Sequence, residues 1–169
     1  QAAVQALNNL IAAARDDVKN SYEANKEDVR MLSIYGMFFN GVGDPVSGEQ
    51  VLTTAHTLAP NKQLVSFDLT RSYLLQKKFA EAVKLSKDTY DLSITCRDAP
   101  KWYMMSASYA GKYKEAKAYV ESKGEKVGFD PDSLSGVITA GQIPLAIEIL
   151  QSAKKENPAL ASQIDDYIK

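Results

Sequence analysis

Few residues of this chain have the types and spacing that chemistry needs. His56 is its single histidine and Cys96 its single cysteine. A zinc site or a thiol–imidazole pair would need both together with further ligands, and neither CxxC nor HxxxH occurs. His56 stands next to the packing residue Ala55, so structural or surface roles are expected for both side chains. Gly41-Val42-Gly43 has the glycines of a phosphate loop, yet no Gly-Lys-Ser/Thr follows, and its place is that of a turn between helices. Asp16-Asp17 and Asp165-Asp166 read as solvated helix faces, because neither stands in the apolar setting that raises a carboxyl pKa. Lys77-Lys78 and Lys154-Lys155 are too short for a nucleic-acid patch. The residues therefore predict no catalytic centre, no cofactor and no metal.

Composition points the same way. The chain has 169 residues, 45% of them hydrophobic and 24% charged, which suits one domain or one short repeat array with a continuous core. A net charge of −1 argues against a nucleic-acid partner, which would need a basic face. No segment has the run of apolar residues that spans a membrane, so no direct insertion of this segment is expected. One cysteine permits no internal disulfide framework, and no signal-peptide pattern opens the chain. It starts at Gln1 rather than Met, which reads as a processed chain or a piece of something longer.

The elements that must position any functional residue are helices in pairs. Val4, Leu7, Ile11, Ala14 and Val18 make one apolar stripe, predicting an N-terminal helix over 1–24. The polar stretch that follows is a loop, with Asp28 as N-cap of the next helix. Two stretches then superpose at a spacing of 34 residues. Leu32, Tyr35, Gly36 and Phe39 are followed by Gly48, Leu52, Ala55 and Pro60; next come Leu69, Tyr73, Phe79, Ala82 and Leu85. This period marks an array of helical hairpins. The predicted repeats are 29–62, 63–96, 99–124 and 127–160. In the third, Trp102, Met105, Ser106 and Tyr109 carry the pattern, with Tyr109 matched to Tyr73. The shorter gap from Tyr109 to Ala116 is then read as a two-residue deletion at the turn. The fourth repeat has a degenerate first helix, Pro131 to Ala140. Leu160, Ile164 and Ile168 predict the start of a C-terminal helix over 159–169. Small residues such as Gly36, Ala55, Ala82, Ala116 and Ala146 let helices approach, and Phe39, Leu52, Tyr73 and Phe79 fill the space between.

With these residues the chain resembles the tetratricopeptide repeat family over about Val29 to Pro158. The resemblance implies an all-α, right-handed superhelical solenoid of about four repeats plus flanking helices. It also implies a protein or peptide partner held in a concave groove lined by the first helix of each repeat. Carried over position by position, the groove residues are Arg30, Ser33, Met37 and Asn40, then Leu64, Phe67, Asp68, Arg71 and Leu74, then Tyr103, Met104 and Ala107. The mixture of apolar and polar groups fits an extended segment or helix held by shape and a few hydrogen bonds. The family's chaperone-tail binders carry a Lys/Asn/Arg clamp for a terminal carboxylate. The matching positions here are Ser33, Met37, Asp68, Pro100 and Met104, so that clamp is not expected. The layout is also similar to the C-terminal repeat segment of bacterial membrane proteins of the O-antigen ligase and polymerase class, on the start without Met, the leading helix, Leu58-Ala59-Pro60-Asn61 and Gly128-Phe129-Asp130-Pro131. That similarity implies a soluble, non-catalytic appendage tethered to a membrane through a parent protein in cell-surface polysaccharide assembly. The two terminal stripes also suggest self-association as a homodimer.

Overall fold

The computed structural model describes residues 1–92 and 96–160. The described residues form α-helices and one short 3-10 turn, with no strand among them. The predicted C-terminal helix start, 159–169, lies outside the described residues apart from 159 and 160, which belong to a 3-10 turn, Pro158–Leu160. The helices are α1 (Ala2–Ala24), α2 (Val29–Gly41), α3 (Pro45–Leu58), α4 (Gln63–Leu75), α5 (Phe79–Leu92), α6 (Ala99–Tyr109), α7 (Tyr113–Ser122), α8 (Pro131–Thr139) and α9 (Ile143–Glu156). The chain forms two compact units, Gln1–Leu85 and Ser86–Lys169.

Local chemistry starts these helices where the sequence suggests. The Asp28 carboxylate accepts from the backbone N–H of Arg30 (2.9 Å) and Met31 (3.2 Å), satisfying donors that the first turn leaves orphaned. Asp44 and Asp130 do the same for Ser47 and Ser133, each followed by a proline whose missing N–H costs nothing at the first helical position.

In the first unit α2, α3 and α4 pack on one another, and α1 lies against α2. The core gathers Leu32, Tyr35, Phe39, Val51, Ala55 and Val65, with Val18 and Tyr22 of α1 packed against it. Gly36 is needed here: a Cβ would lie 2.2 Å from Cγ of Leu52, which is wholly buried. In the second unit α6 packs on α7 and α8, and α8 on α9. Gly136 brings α8 against α6, since a Cβ there would lie 2.8 Å from the backbone nitrogen of Tyr109.

One turn recurs through the chain. It closes with three backbone bonds, seen as Gln76→Ser72, Lys77→Leu74 and Lys78→Tyr73, and the same three appear at residues 110–112 and 140–142. Its middle residue has positive φ: Gly43 (75°), Lys77 (59°), Gly111 (73°) and Gly141 (74°). The first three stand 34 residues apart and the last follows after 30. This corrects the predicted deletion. The turns after α4 and α6 have the same length and bonds, so Ala107, not Tyr109, occupies the position of Tyr73. Tyr109 mimics Tyr73 because that position requires only a side chain that packs, and Ala107 meets the requirement.

Candidate functional site

In the first unit the expected binding residues lie on α2 and α4. Arg30 is exposed, and Met37 keeps 48% of its surface in water beside Ile34 at 46%. Ser33 is half-buried, and its hydroxyl donates to the Val29 carbonyl (2.9 Å). Asn40 is buried at 6% exposure. Its amide donates to the Asp68 carbonyl (3.2 Å), and its Oδ1 accepts from the Ser72 hydroxyl (2.9 Å). A Cβ at Gly48 would come within 2.6 Å of that same Oδ1, so α2, α3 and α4 meet at this one side chain. Asn40 therefore fixes the spacing of α2 and α4 rather than presenting its amide on the surface.

On α4, Phe67 is 4% exposed and belongs to the packing, Leu64 is 68% exposed, and Leu74 is half-buried. Asp68 is half-buried as well. Desolvation by burial pushes its carboxyl up to about 6, against the opposing pull of the Arg71 guanidinium. Arg71 itself is exposed. The surface of this unit is thus apolar at Ile34, Met37 and Leu64, with two guanidinium groups and one partly desolvated carboxyl among them.

In the second unit Tyr103 and Met104 are buried, at 7% and 4% exposure. Tyr103 stacks on Tyr90 (centroids 6.1 Å apart, 16° between planes) and meets the edge of Tyr119 at 5.9 Å. The hydroxyl of Tyr119 donates to Asp91 (2.6 Å), which also accepts from Lys87 (2.6 Å). The Lys87 ammonium lies 4.2 Å from the centroid of the Tyr119 ring, and that of Lys123 at 5.2 Å. Tyr90 donates to Glu125 (3.0 Å), and burial, reinforced by that carboxylate, pushes its hydroxyl up to about 12. The Tyr90 and Tyr119 hydroxyls of this aromatic cluster are thus both engaged within the unit.

The recurring turn explains why these two residues are inside. Counted from it, Tyr103 and Met104 take the places of Leu69 and Thr70, both buried. The positions of Phe67, Asp68 and Arg71 fall instead on Lys101, Trp102 and Met105. Lys101 is exposed, Trp102 and Met105 half-buried. Lys101 pairs with Asp130 (3.3 Å) and Asp132 (3.0 Å) at the start of α8. Reading from the aromatic residues missed Trp102 and Met105 as surface candidates. The signal that finds them is the glycine at Gly43 and again at Gly111, a multiple of the period away.

The chemically capable residues stay apart from one another. His56 Nδ1 lies 3.3 Å from the hydroxyl of Ser66, which is wholly buried, and burial lowers the His56 pKa. Cys96 has a free, half-buried thiol. Among the described residues no three acidic, histidine or cysteine side chains converge on a point that would hold a metal, and no helix is long and apolar enough to cross a membrane. No protein-family model matches this chain, and no curated protein matches it.

Proposed function

We propose that the chain is a tetratricopeptide-like repeat array that recognises a segment of a protein partner through the first helices of its hairpins. The recurring three-residue turn, with positive φ at Gly43, Lys77, Gly111 and Gly141, supports the repeat reading. The observation that carries the binding role is on α2 and α4. Met37 and Ile34 remain about half exposed on α2, which also carries the exposed Arg30, and the buried Asn40 ties α2 to α4, which carries the exposed Arg71. Large apolar side chains held on a rigid surface and flanked by charge suit an anchor-and-rim contact. Trp102 and Met105 offer the same combination on α6, beside Lys101. Affinity comes from burying the apolar groups, and orientation from the guanidinium groups and Asp68.

The test starts with capture of partners by the folded chain. A partner so identified is then titrated as a purified protein against wild type and against Met37→Asp, Arg71→Glu and Trp102→Ala. At least a tenfold loss of affinity is expected for Met37→Asp. Trp102 is the only tryptophan, so its emission reports contact with α6 directly. Equal affinity across all three variants would remove these faces from the interaction.

A further inference from the structure

Helices α7 and α9 enclose, with residues 127–129, a cleft of about 280 Å³. Its apolar walls are the half-buried Val127, Leu145 and Ile149 and the more open Phe129. Tyr113 lines it too and is only 7% exposed. The Tyr113 hydroxyl has no hydrogen-bond partner among the described residues, yet it is not sealed from water. The fold does not ask for that hydroxyl. Tyr113 stands two residues after the positive-φ Gly111, and the same place after Lys77 holds Phe79. Packing there needs a ring. A polar group on a side chain so nearly buried is costly to leave unpaired, so the hydroxyl calls for a partner that enters the cleft.

The charges around the cleft decide what that partner is. Three carboxylates line it, Glu121, Glu148 and Glu156, against two ammonium groups, Lys114 and Lys117. Lys114 pairs with Glu148 (3.3 Å) and Lys117 with Glu121 (3.9 Å). Both pairs are open to water and hold their partners weakly. Glu156 makes no ion pair among the described residues, which leaves one carboxylate in excess. Burial, reinforced by Glu121, Asp130, Glu148 and Glu156, raises the Tyr113 pKa. The hydroxyl therefore keeps its proton at neutral pH, and its oxygen still has lone pairs to accept with.

We propose that this cleft binds a small organic ammonium. Glu156 and the Tyr113 oxygen hold the charge, and the apolar chain lies against Val127, Phe129, Leu145 and Ile149. The size of the cleft suits a chain of about six carbons. An anion would meet the excess of carboxylate, and an uncharged chain would leave Glu156 without a counter-charge. The site lies on the second helices of the hairpins, so it is distinct from the first-helix surface proposed above for a protein segment.

The probe is hexylammonium, charged at pH 7 like a lysine side chain, titrated into the whole chain and followed by amide NMR. Saturable shifts are expected at Val127, Phe129, Leu145 and Ile149, with a Kd of about 1 mM. Tyr113→Phe and Glu156→Gln should each weaken binding at least fivefold. The first keeps the ring that packing needs and the second changes an exposed side chain, so thermal unfolding of both should show an intact fold. Hexanoate should give no saturable shift. Arg97, Lys101 and Lys126 line a second cleft on the other side of residues 127–129, which Tyr113 also reaches, and hexanoate binding there in preference to hexylammonium overturns the proposal. So does the absence of saturable hexylammonium shifts, or an affinity unchanged in either variant.

Discussion

Lys77 holds the left-handed backbone conformation that glycine holds at the three equivalent turns. A Cβ in that region costs about 1 kcal/mol or more, part of which is offset because glycine gains entropy in the unfolded chain. Lys77→Gly should therefore stabilise the protein by about 0.5–1 kcal/mol, read as a higher midpoint in urea. Asp68 gives a residue-level prediction with a pH signature. Its folded-state pKa is raised from the usual value to about 6, so the native state holds the proton more tightly than the unfolded chain. Its contribution is most favourable below the unfolded value of 3.8 and is lost as pH rises through about 6. Asp68→Asn should raise the unfolding midpoint at about pH 7.5, and that gain should shrink to a constant difference below about pH 4. A gain independent of pH would mean that desolvation of the carboxyl is not its source.

Between elements, the close contacts depend on small or polar residues rather than on large apolar ones. Asn40 ties α2 to α4 through one donor and one acceptor. Asn40→Ala leaves the buried Ser72 hydroxyl without that acceptor and opens space beside Gly48, and it should cost about 1–3 kcal/mol in chemical denaturation. Much of this level can be read without a structure. The α2 start follows from Asp28, the α8 start from Pro131, and the α3 stop from the Ala59-Pro60-Asn61 run, whereas Asp44-Pro45 reads as part of the turn and in fact opens α3. The packing of Gly36 against Leu52 follows from their phase. What was not legible was the register of the third hairpin. An aromatic fills space in many orientations, so Tyr109 looked like Tyr73. The backbone of a left-handed turn admits few residues, which makes Gly43 and Gly111 the better rulers. Lys77 hid that ruler by occupying the same turn with a Cβ. The partly desolvated state of Asp68 was equally hidden, since it depends on tertiary packing around the carboxyl.

At the scale of the whole molecule, each compact unit has its own close helix contact. Gly136→Ala forces α8 away from α6, where the nearest obstacle is backbone rather than a flexible side chain. Amide hydrogen exchange should then quicken in α6 to α9 and stay near wild type in α2 and α3, because opening follows the unit whose contacts are lost. Equal acceleration in both units would show that they open together. The uncharged start of α1 has a thermodynamic consequence. Val4, Leu7 and Leu10 leave apolar surface in water, and salts excluded from the protein surface raise the free energy of such exposure. Ammonium sulfate should therefore precipitate wild type at a lower concentration than Leu7→Glu/Leu10→Glu.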